Sequence, residues 1–558
     1  MLKVLTAAQM REVDRLTTER YGIPSILLME NAAHAVARVI IEKLGGSVKG
    51  KSILILCGPG NNGGDGAALA RLLGLDGAFV DVVLLGCIKE TRGDARTNFG
   101  VLCSEDFTFE DVYSSAFCEL REVTSKDGWN SIQLQVLNAH VDVIVDAIFG
   151  TGLTRPLEIW VYNIIHEINF LNDDPQRKRL RIGVDIPSGL SADSGARLDI
   201  ALEADVTVTF SAPKPGNILP GAVSYNGELV VAEIGSPDDL IEEQESQLYF
   251  AQASDAADWL EASKFTNASY KNKRGHALLI AGSKDYTGAA VLAGNAAIRS
   301  GCGLVTIATP ESSRDGIVAR VSPEVMVRGI SQTPEGSAAE KAADEIKGFL
   351  KNVDAVAIGS GLSSKEDETK AFVRRVVVER RTSVVVDADG LTALSPWDVS
   401  AVAATGEASR DARPPEIILT PHEGEFKRLL GVEGDEAKEM LKDRVQAVRD
   451  FATKHNVLLV LKGERALIGC PDGRVVVNPT GNSGLGKAGN GDTLTGIIAG
   501  FVAQAVQMKI DIFETVVAAV YIAGMAGDVA EKKYGKRVMT ASDVRDCLVE
   551  VFEELGEK

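Results

Sequence analysis

Short apolar runs alternate with stretches of helical period along most of the chain, the pattern of parallel α/β layers. In the first half, "SILILC" (52–57), "DVVLLG" (81–86), "VDVIVDAIFG" (141–150), "RIGVDIPSG" (181–189), "DVTVTF" (205–210) and "ELVVAEIG" (228–235) read as strands. They are continuously apolar, as strands buried on both faces are. The pattern breaks after residue 235, where "SPDDLIEEQESQ" is polar and acidic and suits a linker. It restarts with "HALLIAGS" (276–283), followed by "GLVTIATP" (303–310), "VDAVAIGSG" (353–361), "SVVVDADG" (383–390), "EIILTPHEGE" (416–425) and "NVLLVLKGE" (456–464). "RALIGCPDGRVVVN" (465–478) predicts a hairpin turning at Asp472-Gly473. The expectation is two α/β domains, 1–240 and 265–558, joined by a linker over 241–264.

Bulk properties narrow the class. A chain of 558 residues is too long for one ordinary core. Its 45% hydrophobic and 25% charged residues are those of a soluble globular protein. A net charge of −19 lacks the basic footprint that nucleic acid requires, while leaving room for a local anion pocket. Seven scattered cysteines without a C-x-x-C pair fit a reduced, cytoplasmic protein, and Cys57 reads as the end of a buried strand. The amphipathic start "MLKVLTAAQMREVDR" has no signal-peptide core. "VVAAVYIAGMAG" (516–527) is too short to span a bilayer and predicts a buried helix, so no membrane partner is expected.

Open α/β sheets bind ligands at the carboxyl ends of their strands. There the first half carries "CGPGNNGGDG" (57–66), whose backbone N–H groups can form a nest facing an anion. It has neither the G-x-G-x-x-G spacing of a dinucleotide fingerprint nor a G-K-[ST] ending. Asp146 and Asp185 each end a strand. If these strands are neighbours, Asn62, Asp146 and Ser188 offer hard oxygen ligands suited to an alkali or alkaline-earth ion rather than zinc. The competing reading is helix capping, which Asp, Asn and Ser also perform. In the second half, "GKAGNGDTLTG" (486–496) offers N–H groups over Ala488, Gly489, Asn490 and Gly491 to surround developing negative charge. Asp492 can take a proton from a hydroxyl nucleophile; capping its own helix is the alternative. His422 and Lys462 also lie at strand ends.

The motifs "GPGNNGGDG", "DAIFGTGL" and "VDIPSGL" resemble the epimerase domain of the NAD(P)H-hydrate repair enzymes. The region from about 265 onward resembles the ADP- or ATP-dependent dehydratase of the same pathway, a ribokinase-superfamily member. It does so through "AGSKDYTGAA", "IRSGCGLVTIATP", "GSGL", "DADGLTAL", "LTPHEGEF", "VLKG" and "GKAGNGDTLTG". The resemblance implies an N-terminal Rossmann-like doubly wound sheet and a C-terminal ribokinase-like α/β domain. The first would interconvert the R and S hydrates; the second would dehydrate the S form at the expense of ADP or ATP. A small-molecule kinase with a regulatory or protein-interaction N-terminal domain is the alternative.

The resemblance also implies residues. Potassium would sit on Asn62, Asp146 and Ser188, and Asp185 would lie close to the reacting ring as the acid/base group. The hydrate would contact Asn61, Asn62, Gly63, Gly64 and Asp65, and then Gly150, Thr151, Gly152, Leu153, Thr154, Arg155 and Pro156. In the second domain it would meet Ala289, Gly361, His422 and the catalytic Asp492. The nucleotide, carried with magnesium, would meet Lys462, Gly463, Glu464, Arg465 and Ala466. It would also meet Asn482, Ser483, Gly484, Leu485, Gly486, Lys487, Ala488, Gly489, Asn490 and Gly491. A homo-oligomer is expected. One departure stands out: the family's paired glycines ahead of the aspartate read Ala488-Gly489 here, and alanine would be strained at positive φ.

Overall fold

The computed structural model describes residues 1–103, 118–138, 141–153, 155–171, 178–267, 269–398 and 416–557. They divide into one unit of Leu2–Ser246 and another of Gln247–Lys558 that also takes in Met1.

In the first unit the strands are β1 (Ser52–Cys57), β2 (Phe79–Leu85), β3 (Cys118–Val123), β4 (Val143–Ala147), β5 (Leu180–Val184), β6 (Val206–Phe210) and β7 (Glu228–Ala232). They pair in the order β3-β2-β1-β4-β5-β6-β7, every pair parallel. This is the doubly wound order, reversing between β1 and β4. Ile53, Ile55, Val143 and Val145 point into one apolar layer, and Leu54, Leu56 and Ile144 into the other. Burial on both faces is why these strands read as unbroken apolar runs.

In the second unit the strands are β8 (Leu248–Phe250), β9 (His276–Ile280), β10 (Leu304–Pro310), β11 (Met326–Ile330), β12 (Ala355–Ile358), β13 (Ser383–Val386), β14 (Ile417–Leu419), β15 (Leu458–Leu461), β16 (Leu467–Gly469) and β17 (Val475–Val477). Their order is β8-β17-β16-β15-β14-β13-β12-β9-β10-β11. Pairing is parallel from β11 to β15, then antiparallel through β16 and β17. The β16–β17 hairpin turns at Gly473, as the Asp-Gly pair predicts, with φ at 94°. The helix Ile512–Tyr534 contains the apolar stretch 516–527; it is long and apolar enough to cross a membrane, yet two thirds of its apolar 18-residue window is buried within the fold.

Residues 241–264 are not a linker. Leu248–Phe250 pairs in parallel with β17, and Ala253–Ala262 forms a helix. Trp259 of this helix is buried, stacks on Phe501 at 4.1 Å and donates its indole N–H to Thr515 Oγ1 at 3.0 Å. The acidic surface of the segment hides its apolar anchors, which are few and spaced at helical period. Trp259→Ala should destabilise the second unit by about 3–5 kcal/mol, read as an earlier denaturant midpoint. An unchanged midpoint would mean the helix contributes nothing to that core.

Candidate functional sites

The first site is built where the strand order reverses. After Cys57 the chain turns through Gly58–Gly60 and enters the helix Asn61–Leu75. Asn61, Asn62, Gly63, Gly64 and Asp65, expected in a loop, therefore form the first turns of this helix. No side chain caps its N-terminus, so its N–H groups are open to an anion. A Cβ on Gly63 would stand 1.8 Å from the Gly58 carbonyl oxygen, so only glycine lets the turn fold back this closely.

Asp146, at the end of β4, is fully buried. Its Oδ1 accepts from Ser188 Oγ at 2.6 Å, its Oδ2 from Ser188 N at 2.7 Å, and Oδ1 again from Ile148 N at 3.2 Å. The Phe149 N–H donates to Ser188 Oγ at 2.9 Å. Burial pushes the Asp146 carboxyl up to about 6 against the pull of these hydrogen bonds. Capping of backbone N–H groups is thus a real part of what Asp146 does. Asn62 is buried, and among the described residues its Nδ2 has no partner. Gly150 borders both Asn62 and Asp185: a Cβ there would lie 3.2 Å from Asn62 Oδ1 and 3.4 Å from Asp185 Oδ2. Thr151, Gly152 and Leu153 continue as a turn, Arg155 and Pro156 are exposed, and Thr154 lies outside the described residues.

Asp185 follows β5 with φ at 65°, a strained conformation for a residue with a side chain. Four bonds hold it there. Its N–H donates to Val208 O at 2.8 Å, and its carbonyl accepts from Asn217 Nδ2 at 3.0 Å. Its Oδ1 accepts from Lys214 Nζ at 2.7 Å and from Thr209 Oγ1 at 3.0 Å. Lys214 is buried and also donates to Thr209 Oγ1 and Phe210 O. Two more carboxylates feel this pair. Burial lifts Asp65 well above the ordinary range, with the charges of Asp185 and Asp14 adding to it and Lys214 opposing. Asp14, on the helix Ala7–Tyr21, is pushed up to about 6 by burial, opposed by Lys214 and assisted by Asp185. Among the described residues Asp14 Oδ1 is buried without a partner. Lys214 and Asp14 escaped the sequence reading. The only sign of Lys214 is its place between Pro213 and Pro215 just past a strand; Asp14 looks like any polar position of an amphipathic helix.

The second site also gathers at strand ends. Beside the reversal between β9 and β12, Gly361 has φ at 65°, and a Cβ there would lie 2.9 Å from Ala289 Cβ, so these two expected contacts are adjacent. Asp387 follows β13 and is buried. Its Oδ1 accepts from Thr420 Oγ1 at 2.8 Å and from Lys462 Nζ at 2.7 Å, and its Oδ2 from Thr495 Oγ1 at 2.9 Å. His422 caps the helix Glu423–Leu430, accepting from Glu425 N at 3.2 Å through Nδ1, and its side chain is 57% exposed. A backbone bridge joins His422 to Lys462. The capping role of His422 is present, and its exposed ring also sets Nε2 3.5 Å from Glu425 Oε1.

The helix Asn490–Met508 begins at Gly489, whose φ is 92°, and no side chain caps it. Asp492 sits in its first turn without capping it, which removes the structural alternative for this residue. Burial pushes Asp492 up to about 6; the nearby Ser360 hydroxyl and Lys462 pull it down, and Asp387 and Asp389 push it up. Ala488 is not among the described residues with positive φ, so alanine in place of the first glycine carries no backbone strain.

The expected nucleotide residues are largely tied to their own scaffold. Asn482 donates through Nδ2 to Gly527 O at 2.9 Å and Asp528 Oδ1 at 3.0 Å, and its Oδ1 accepts from Gly484 N at 2.9 Å. Lys487 donates to the carbonyls of Arg537 and Met539, at 2.5 and 2.8 Å. Ser483–Leu485 form one tight helical turn leading to Gly486. The turn after β15, through Gly463 and Glu464, meets this loop where Arg465 bonds the Pro479 carbonyl and Ala466 O accepts from Asn478 N at 2.9 Å. Among the described residues the open donors are the N–H groups of Gly489 and Gly491 and the remaining protons of Lys462, whereas the Asn490 N–H donates to Lys487 O at 3.4 Å. The sequence reading missed Asp387 as a site residue, although it ends the strand "SVVVD".

Residues 25–216 match the model of the YjeF-related protein N-terminus, and residues 277–549 match that of NAD(P)H-hydrate dehydratase. The chain is 37% identical to the bifunctional NAD(P)H-hydrate repair enzyme of Moorella thermoacetica, over 100% of this chain and 97% of that one. It is 34% identical, with the same two coverages, to that of Thermofilum pendens. A solved structure of the ADP/ATP-dependent NAD(P)H-hydrate dehydratase from Bacillus subtilis, co-crystallised with ATP and Mg2+, is 30% identical over 55% of this chain and 98% of that one, with a TM-score of 0.44. With one relative matched from end to end above a third identity and each unit matched by its own family model, the chain belongs to the bifunctional NAD(P)H-hydrate repair enzymes.

Proposed function

We infer that the chain repairs hydrated NADH and NADPH with both of its units. The first interconverts the R and S hydrates, and the second dehydrates the S form at the expense of ADP or ATP. The observation that carries the reading is Asp492: a half-buried carboxylate in the first turn of a helix whose N-cap, Gly489, has no side chain, among Asp387 and Lys462 at converging strand ends. There a base can take the proton of the ring hydroxyl while backbone N–H groups face the terminal phosphate. The hydroxyl oxygen bonds phosphorus as the bridging P–O bond of the nucleotide breaks. Phosphate is then a far better leaving group than hydroxide, and its departure with loss of a ring proton restores the dihydronicotinamide.

In the first unit Asp185 is the acid/base group for epimerisation. Lys214 and Thr209 occupy its Oδ1, and Oδ2 is the oxygen beside Gly150, Asn62 and the substrate crevice. The all-oxygen set of Asn62, Asp146 and Ser188 fits a potassium ion, and the unpartnered amide edge of Asn62 leaves that side chain free to turn its oxygen toward one. Bound there, potassium would supply positive charge toward the phosphates of the hydrate. Magnesium would arrive on the phosphates of the nucleotide. Seven free cysteines suit a reducing, cytoplasmic setting.

The direct test supplies mixed R and S hydrates with ADP, then with ATP, and follows dihydronicotinamide absorbance and orthophosphate. Release of a stable phosphorylated product without recovered absorbance would identify a kinase instead. Asp492→Asn should slow dehydration by about 10²–10⁴-fold and leave R/S exchange unchanged. Because the base acts ionised, dehydration should fall as pH drops through about 6; a flat profile down to pH 4 would exclude Asp492 as that base. Asp185→Ala should do the converse, stopping R/S exchange while S hydrate is still dehydrated; unchanged exchange would remove its assigned role. Replacing potassium by tetramethylammonium should slow exchange alone, and exchange indifferent to the cation would remove the ion from the reading.

A further inference from the structure

Two lysines in this protein each bond an aspartate, Asp185 half-buried and Asp387 buried, and they differ in what remains of the ammonium. Lys214 gives its protons to Asp185, Thr209 and Phe210 O, three acceptors within 3.0 Å, and is spent. Lys462 Nζ donates to Asp387 Oδ1 at 2.7 Å and, among the described residues, to no other acceptor; Glu425 Oε2 at 4.0 Å is beyond bonding range. The Lys462 side chain is 23% exposed, so its remaining protons face a space that solvent or a ligand can enter. That space is the helix N-terminus ahead of the base. A Cβ on Gly491 would lie 3.7 Å from Lys462 Nζ and 3.5 Å from Asp387 Oδ2. Asp387 is pinned through its other oxygen by Thr495, one turn beyond Asp492 on the same helix, and on the oxygen that Lys462 shares by Thr420 from the next strand end. One buried carboxylate therefore fixes the ammonium relative to the helix that carries the base.

We propose that Asp387 is a positioning residue for dehydration, holding the Lys462 ammonium beside Gly491 so that it stabilises the phosphoryl group in flight. The proposal rests on the dehydratase reading above. As the hydroxyl oxygen bonds phosphorus, the electron pair of the broken P–O bond stays with the departing nucleotide and the hydroxyl proton goes to Asp492. Lys462 exchanges no proton; its fixed charge offsets the negative charge on the phosphoryl oxygens in transit. A strut that merely tied strand ends together would need no free ammonium protons. The charged groups facing this point are Asp387, Asp389, Asp492, Glu425 and Lys462.

The test is the double variant Asp387→Asn/Lys462→Met in the full chain, which removes both charges and leaves neither ion unpaired. R/S exchange by the same chain reports on its integrity. The proposal expects kcat for dehydration of S hydrate to fall at least about 10²-fold, with KM for the nucleotide within about threefold of the parent. Lys462→Arg, which keeps the charge, should recover at least about tenfold over Lys462→Met, and Asp387→Asn alone should move the acid limb of the kcat profile to lower pH by removing a like charge from beside Asp492. A double variant with kcat within about threefold of the parent would reduce the pair to a strut, and a change confined to KM would make it a ground-state contact; either overturns the proposal. A parent chain that regenerates no dihydronicotinamide overturns the dehydratase reading, and this proposal with it. A competent parent beside an equally competent double variant overturns this proposal alone.

Discussion

An aspartate held at 2.7 Å by a lysine, with a threonine hydroxyl on the same oxygen, recurs at the centre of each unit. Taking two charges out of water is costly, and neither pair is the cheapest way to fill its space. Each persists because its site needs a fixed charge at a fixed place. In the first unit the pair holds Asp185 at a positive φ, with one oxygen spoken for and the other turned to the crevice. In the second it holds a lysine beside the helix that carries Asp492. The same interaction orients the carboxylate in one case and the ammonium in the other.

Both pairs depend on parallel sheets. Parallel strands deliver their carboxyl ends to one edge, and reversal of strand order opens a crevice there. Asp146 and Asp185 arrive on β4 and β5; Asp387, His422 and Lys462 arrive after β13, β14 and β15. Each crevice is completed by a helix that, among the described residues, starts at a glycine without a side-chain cap, an arrangement suited to an anion. Burial raises carboxylates at both edges, and like charges nearby raise Asp65 and Asp492 further. Such clustering is expected where groups must exchange protons near neutral pH.

The two activities make chemical sense on one chain. A dehydratase that accepts one epimer strands the other, and an epimerase returns it. The kinase-like step in the second unit moves a phosphoryl group only so that the oxygen it joins can leave. What separates this from a true kinase is the fate of the phosphorylated hydroxyl, which the ring nitrogen helps to expel.

The sequence by itself determined the layers, the hairpin at Asp472-Gly473, the strand-end placing of Asp146, Asp185, His422 and Lys462 and the helix-start placing of Asp492, because those signals lie in consecutive residues. It misjudged what is short or spread out: β8 is three residues in an acidic stretch, and β3 ("CELREV") is an edge strand carrying charges, so neither shows an apolar run. Ala488 looked like a defect, yet only its neighbour Gly489 takes the positive φ, a distinction that backbone geometry alone makes. The charge pairs were decided by tertiary structure. Asp185 and Lys214 are 29 positions apart, Asp387 and Lys462 are 75, and Asp14 reaches its carboxylate neighbours from a separate N-terminal helix. A strand writes its pattern into its own residues, but a buried charge finds its partner across the sheet, and nothing local records that meeting.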